Sequence, residues 1–524
     1  MSRFMLGGRR CARVLTLSLL GGLCLAFTAC GGGSTAPSKS ASPRSDNGAD
    51  YDEAHAEAYG TIVENPFQSP LVEPRSTFSA DVNTASYSNV RRYLNHGQLP
   101  PRDAVFLAEL INYFPYSYPE PTGDDPVSIS LDLAPCPWKA EHKLARIGVK
   151  ARTLSGEEMP RRNLVFLIDV SGSMQSETRL PLVKQALELL VDRLEAEDRV
   201  SIVTYAGDAG LRLVPTPGDQ KGRILSVVRS LSAGGSTNGA GGIRLAYETA
   251  RRSFIASGAN RVILCTDGDF NVGVTSESEL QQLVERERVS GVFLTVLGFG
   301  MGNLKNQNLE TLANHGNGHY AYIDSIDEAR KVFVEQGGAI VCVAKDVKFQ
   351  VEFNPATVGA YRLLGYENRI LRAEDYKNDA KDAGDMGSGH TVTALYEIVP
   401  VGVKIDLPGV EPLKYQAPAK ATEATDEWLT VRMRYKQPGG DVSRELAAVL
   451  PAKAEKHSSS EDFRFAVAVA EFGLALRDSP YKGQANLANV LARAEQSLGA
   501  DPNGHRREFI GLVRRAMELR RSAP

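Results

Sequence analysis

Between residues 161 and 340, short apolar runs alternate with amphipathic helical repeats, and this alternation restricts the fold more than any other feature of the chain. The apolar runs are NLVFLIDV (163–170), RVSIVTY (199–205), RVILCTDG (261–268), VFLTVLGFG (292–300) and HYAYI (319–323). A strand that is apolar at every position is buried on both faces, which an interior parallel strand requires. The intervening segments carry the helical spacing instead. In PLVKQALELLVDRL, Val183, Leu187, Leu190 and Leu194 fall on one face. GRILSVVRSL, GAGGIRLAYETARRSF, SELQQLVERE, NQNLETLANH and DEARKVFVEQ read as further helices. Repeated βα units predict an α/β fold, a doubly wound and mostly parallel sheet with helices on both faces.

An open parallel sheet places its ligands outside the carboxyl ends of its strands. Asp169 closes one apolar run and is followed by Ser171 and Ser173 at alternate positions; Asp267 closes another, in LCTDGD. Between them in sequence, GGSTNGAGG presents Thr237 just ahead of a helix. All five side chains are hard oxygen donors. Carboxylate, hydroxyl and water ligands suit Mg²⁺, with Mn²⁺ as the alternative, in octahedral geometry. The order D-x-S-x-S, a threonine in a Gly-rich loop, then T-D-G after a strand resembles the metal-ion-dependent adhesion site (MIDAS) of von Willebrand factor type A (VWA) domains. That resemblance implies that Ser171, Ser173 and Thr237 offer hydroxyls to the cation, and that Asp169 and Asp267 act directly or through water. It also implies an open coordination position that an Asp or Glu carboxylate of a protein partner fills.

The flanks have different patterns. Residues 61–160 read as an α+β extension. FSADVNTASYSNVRRYLNHG predicts a helix ending at Gly97, PPRDAVFLAELINYF a second helix opened by proline, and VSISLDLAP and KLARIGVKA half-buried strands. Residues 341–457 return to alternation in VKFQVEFN, TVTALYEIV, EWLTVRMRY and ELAAVL, with NDAKDAGDMGSGH as a polar loop. These strands are expected to join the two before residue 160 in a β-rich, sandwich-like region flanking the α/β domain of residues 161–340. Residues 458–524 are helical. Phe463, Val467, Ala470 and Leu474 mark one face of the first helix and Phe465, Val469, Phe472 and Leu476 another, so it is expected to be buried on two sides. Leu487, Val490, Leu491, Ala494 and Leu498 mark a second helix, and Phe509, Val513 and Met517 a third. The helical segments of the extension, LVFLIDVSGSM, GGSTNGAGG, CTDGDFNVG, YRLLGYENR and GHTVTALYEIVP together resemble the bacterial VWA lipoproteins, which carry a characteristic N-terminal extension and C-terminal region.

The N-terminus fits that resemblance. MSRFMLGGRRCARV is basic, LTLSLLGGLCLAF is apolar, and TAC follows, the pattern of a secretory signal over residues 1–29. Phe27-Thr28-Ala29-Cys30 resembles the lipobox of bacterial lipoproteins, which implies that Cys30 becomes the first mature residue and carries lipid. Gly31 is not the aspartate that favours inner-membrane retention, so the outer membrane is the expected address if the source has two membranes. Residues 30–60 are rich in Gly, Ser, Ala and Pro and read as a disordered tether. Thirty extended residues span at most ~100 Å. Losing the signal removes Arg3, Arg9, Arg10 and Arg13 and no acid, so the formal net charge goes from -3 to -7. An acidic chain with no basic stripe excludes nucleic acid as the expected partner. Cys136 and Cys342 are candidates for a disulfide in an oxidising envelope; Cys265, inside an apolar run, reads as a buried thiol.

The function expected from this reading is cation-dependent protein binding at the bacterial envelope, without enzymatic activity. Two alternatives use the same residues. In one, the metal only stabilises a scaffold. In the other it activates water in a hydrolase, but the set offers no evident base: Asp269 is the spare carboxylate, and His315 and His319 are separated by glycines that argue for a loop. GFGMG after the fourth apolar run lacks the full dinucleotide pattern.

Overall fold

The computed structural model describes residues 59–522 except 82, 236–238, 269–276, 301–305, 380, 382, 406, 408–424 and 455–458. The signal, the lipidation residue Cys30 and all but the last two residues of the tether lie outside the described residues, as does Thr237.

The extension contains β1 (Arg75–Ser79), α1 (Ala85–Asn95), α2 (Leu107–Asn112), β2 (Val127–Pro135) and β3 (Lys143–Ala151). The predicted first helix is shorter than its pattern suggested: its opening FS belongs to β1, and the helix begins only at Ala85. Next come β4 (Arg162–Asp169), α3 (Leu180–Val191), β5 (Arg199–Tyr205), β6 (Ala209–Pro217), α4 (Lys221–Ser230), α5 (Gly239–Arg252), β7 (Ala259–Thr266), α6 (Glu277–Val289), β8 (Val292–Phe299), α7 (Asn306–His315), β9 (Tyr320–Ile323) and α8 (Ile326–Arg330). The chain then runs through β10 (Cys342–Phe353), β11 (Val358–Leu364), β12 (Ile370–Leu371), β13 (Gly384–Gly387), β14 (Thr391–Pro400), β15 (Glu427–Lys436) and β16 (Ser443–Pro451). It ends in α9 (Glu461–Leu476), α10 (Leu487–Gln496) and α11 (His505–Ser522).

The central sheet has the order β6-β5-β4-β7-β8-β9. All its neighbours are parallel except β5 and β6. Numbered within the domain this is the doubly wound order 3-2-1-4-5-6, whose strand order reverses between β4 and β7. Ligand crevices open at that reversal. The strand pattern missed β6 because Arg212 and Val214 face solvent and prolines stand at 215 and 217, features of an edge strand rather than a core one. The predicted last helix is also shorter. α8 ends at Arg330 and gives way to a π-helical turn over Lys331–Glu335.

The extension and the C-terminal region form one β-sandwich. One sheet runs β11-β14-β3-β2, and the other β12-β1-β10-β15-β16, with β13 also paired to β10. Thr391–Ile398 pair in register with Lys150–Lys143, so the segments before and after the α/β domain are joined by backbone hydrogen bonds. Phe78, Phe349, Val351, Val149, Ala394 and Tyr396 fill the space between the sheets. Part of the stretch read as a polar loop is β13, and β11 supplies a strand that alternation alone did not expose. α9 is buried on nearly every side, as its two apolar faces require, and packs with α2, α10 and α11 around Phe114, Phe465 and Phe509. The three described cysteines are free thiols, so Cys136 and Cys342 do not pair.

α1 lies along β9, the edge strand of the parallel sheet. Asn83, just before the helix, accepts from the Tyr320 backbone N–H at 3.2 Å. Further along, Arg91 is buried and pairs with Asp324 after β9, with Glu328 on α8 at 2.8 Å and with Glu508 on α11 at 3.2 Å. A helix over a sheet edge removes a template for unwanted strand pairing.

Candidate metal centre

The apolar run of β4 carries Asp169 to the carboxyl end of the strand, where the chain leaves the sheet. The peptide N–H of Ser171 turns back to donate to Asp169 Oδ1 at 2.8 Å. This two-residue return is the ordinary turn chemistry of aspartate. It sets Ser171 and Ser173 side by side, with hydroxyl oxygens 3.0 Å apart. The short 3-10 turn Gly172–Gln175 then leads towards α3.

A second loop closes on the first. The Gly234 N–H donates to the Val170 carbonyl at 2.8 Å, and the Gly172 N–H to the Gly235 carbonyl at 3.1 Å. Gly235 has φ +88°, a conformation that glycine adopts without steric cost. The loop that carries Thr237 is therefore stitched to the Asp169 turn up to residue 235. On the other side of β4, the end of β7 brings in Asp267. Asp169, Ser171 and Asp267 are at most 2% exposed, while Ser173 opens to solvent.

Both buried aspartates are thus held at the strand-order reversal, close enough to feel each other's charge. Burial raises the Asp169 carboxyl above its ordinary 3.8, opposed by the hydrogen bonds from Ser171 and reinforced by the charge of Asp267. Asp169 Oδ2 is buried, and a further group that lowers its carboxyl is the buried hydroxyl of Tyr205 on β5. A buried carboxylate oxygen in this state is destabilised unless a positive charge reaches it. The donor set fits a small hard cation: Asp169 and Asp267 supply charge, and Ser171 and Ser173 supply neutral hydroxyl oxygens. Among the described residues, no three His, Cys, Asp or Glu side chains gather in a metal-binding group. A site built largely from hydroxyls is not of that kind.

Sequence reasoning missed Arg179. Its guanidinium lies 3.2 Å from Asp267 Oδ2 and donates to the Ser173 carbonyl at 2.6 Å. The close packing of this side chain against Gly300, where a Cβ would meet its Cγ at 2.5 Å, holds it over the site. The only sequence signal was a basic residue just ahead of a helix. His315 ends α7 and pairs with Glu285 at 2.7 Å. His319 packs edge-on against His390, and burial pushes it down to about 4. Asp269 lies outside the described residues.

Three family models match successive parts of the chain. The model described as von Willebrand factor matches residues 53–146, the von Willebrand factor type A domain 163–335, and the C-terminal region of Uncharacterized protein YfbK 338–519. YfbK of Escherichia coli (strain K12) is 42% identical over 465 residues, which span 87% of this chain and 80% of its own length. The chain belongs to the YfbK family of VWA-domain proteins. Its parallel sheet is the VWA domain of that family, and the sandwich and terminal helices are its flanking regions. Human inter-alpha-trypsin inhibitor heavy chain H3 is 31% identical over 175 residues, 31% of this YfbK-family chain and 19% of the human protein. The solved structure of a von Willebrand factor type A protein from Catenulispora acidiphila covers 76% of the chain and 92% of its own, with 15% identity and a TM-score of 0.42. VWA domains typically mediate protein–protein interaction, and the YfbK-family chain carries one between its two flanks.

Proposed function

We propose that this protein is a lipid-anchored binding module of the bacterial envelope. In this reading its VWA domain holds Mg²⁺, or Mn²⁺, at a MIDAS formed by Asp169, Ser171, Ser173, Thr237 and Asp267. A protein partner is captured there through an Asp or Glu carboxylate. One observation supports the cation most directly: two buried aspartates converge at the strand-order reversal, and the carboxyl of Asp169 is raised by burial and by its neighbour. The bound cation would supply the positive charge to which a partner's carboxylate is drawn. The chain's own residues do the rest. The Ser171 N–H orients Asp169, the paired serine hydroxyls face the same crevice, and the exposed position of Ser173 leaves that crevice open to a partner.

In this reading the tether and Cys30 hold the module at the membrane. A basic, then apolar, then T-A-C start supports lipid attachment at Cys30, and multiple acyl chains give stable anchoring. The outer membrane is favoured in a source with two membranes.

The test is recovery of a partner from envelope extract by residues 61–524, in Mg²⁺, in EDTA, and with a folded Asp169→Ala variant. The expected result is a partner recovered only with Mg²⁺ and intact Asp169. Equal recovery in all three would make the site structural or idle.

A further inference from the structure

A cavity of about 430 Å³ lies beside β9, the edge strand of the parallel sheet, three strands away from β4 and Asp169. Tyr320, the first residue of β9, forms part of its wall. Three parts of the chain meet there: Glu109 from the extension, Glu310 and Asn314 from α7 of the VWA domain, and Arg369 from the sandwich. Pockets of a few hundred Å³ between domains are of the size that takes small organic ligands.

The charges around this cavity do not balance. Arg369 pairs with Asp81 at 3.1 Å and with Glu310 at 2.6 Å, so one guanidinium already serves two carboxylates. Glu109 is a third. It is 8% exposed and accepts one hydrogen bond at 2.8 Å, from the Ser86 N–H to Oε2. Among the described residues nothing donates to its other oxygen. Burial, then the charge of Glu310, pushes its carboxyl up to about 8. Asn314 Oδ1 is buried and makes no hydrogen bond with the described residues. A buried acceptor without a donor is destabilising, and Asn314 Oδ1 is one at the wall of this cavity.

A group that completes this cavity is a hydrogen-bond donor with positive charge, which would displace the proton that burial holds on Glu109. These carboxylates do not converge as a metal-ligand group among the described residues, and Ile62, Phe106 and Tyr320 give the cavity apolar wall suited to a hydrocarbon stem. We infer that the cavity between Glu109, Glu310 and Asn314 binds an alkylammonium ligand, a small aliphatic di- or polyamine, with its ammonium at Glu109. This site is separate from the proposed metal centre, and its existence does not depend on that reading.

Isothermal titration of the chain with spermidine at pH 7 tests the assignment, with MgCl₂ and a lysine-containing tripeptide as comparison probes at constant ionic strength. Glu109→Gln and Glu310→Gln remove charge at nearly constant volume, and thermal melting checks that both remain folded. Saturable 1:1 binding of spermidine is expected, weakened at least tenfold by Glu109→Gln. It should be accompanied by proton release, seen as a heat that varies with the ionisation enthalpy of the buffer, because the ammonium converts a protonated Glu109 to its carboxylate. An Asp169→Ala control should bind spermidine as the parent does. No saturable heat, equal affinity in both Gln variants and the parent, or displacement by Mg²⁺ at matched concentration would overturn the proposal. Saturation by the tripeptide but not by spermidine would also overturn it and assign the cavity to a peptide.

Discussion

At the scale of single residues, Arg179 and Glu397 show opposite uses of a buried charge. Arg179 brings a guanidinium to Asp267, one of the oxygens proposed to face the cation. Two positive charges near one carboxylate repel, so Arg179→Gln is expected to tighten Mg²⁺ binding by about fivefold, ~1 kcal/mol. Calorimetric titration of parent and variant would check this, and weaker binding in the variant would show that Arg179 chiefly orients Asp267. Glu397 sits in a complete network. It accepts from His142 at 2.6 Å, from Trp138 at 3.2 Å and from Arg362 at 3.0 Å. Burial alone would raise its carboxyl, but the His142 hydrogen bond and the Arg362 charge outweigh burial and hold it below 4.5. A depressed carboxylate stabilises the fold above its unfolded value, and that contribution is lost as pH falls through the lower folded value. The parent should therefore lose stability as pH falls below about 4.5, and Glu397→Gln should flatten that part of the profile. At neutral pH the same variant is expected to cost about 3 kcal/mol, measurable by urea unfolding.

At the scale of elements, α1 matters because of what its buried arginine joins. Arg91 links the end of β9, the start of the last VWA helix and α11. Breaking a buried ion pair leaves the other charges uncompensated, so Arg91→Ala is expected to cost about 3–5 kcal/mol. Thermal melting would check the loss, and hydrogen exchange at α8 should rise with it. The elements also show what the sequence could convey. LVFLID read as a two-sided buried strand because both of its faces are covered by helices. α9 read correctly for the same reason. By contrast β6 was hidden by its exposed Arg212 and Val214, and β1 by its short length beside a strong helical pattern. Asp169, Ser171 and Ser173 were legible because a turn brings neighbours together. Arg179 meeting Asp267, and Glu109 meeting Glu310, depend on chain segments far apart in sequence, and no local spacing records them.

At the scale of the whole molecule, the helical layer and the sandwich are built from both ends of the chain. α2 packs on α9, α1 on α11, and β1 and β3 on β10 and β14. Ending the chain at Pro451 would expose Leu110, Phe114 and the faces that hold α9. A truncated protein of this kind is expected to bind an apolar dye and to aggregate, because an uncovered core face is a large apolar patch. Light scattering and dye fluorescence against the full chain would check it; a monodisperse, dye-silent product would show that the sandwich and VWA domain are self-sufficient.

The register Thr77↔Gln350 has a consequence for how the molecule is made. A ribosome emits β1 long before β10, and chains lengthen by only about 5–20 residues each second. The first strand must then wait many seconds for its partner, while the intervening parallel domain already holds all its own strands. Synthesis thus gives the cell a period in which a finished centre follows an unfinished first half. A segment with apolar strands and no mate is what a holding chaperone recognises, and the length of that wait is written into the order of the chain.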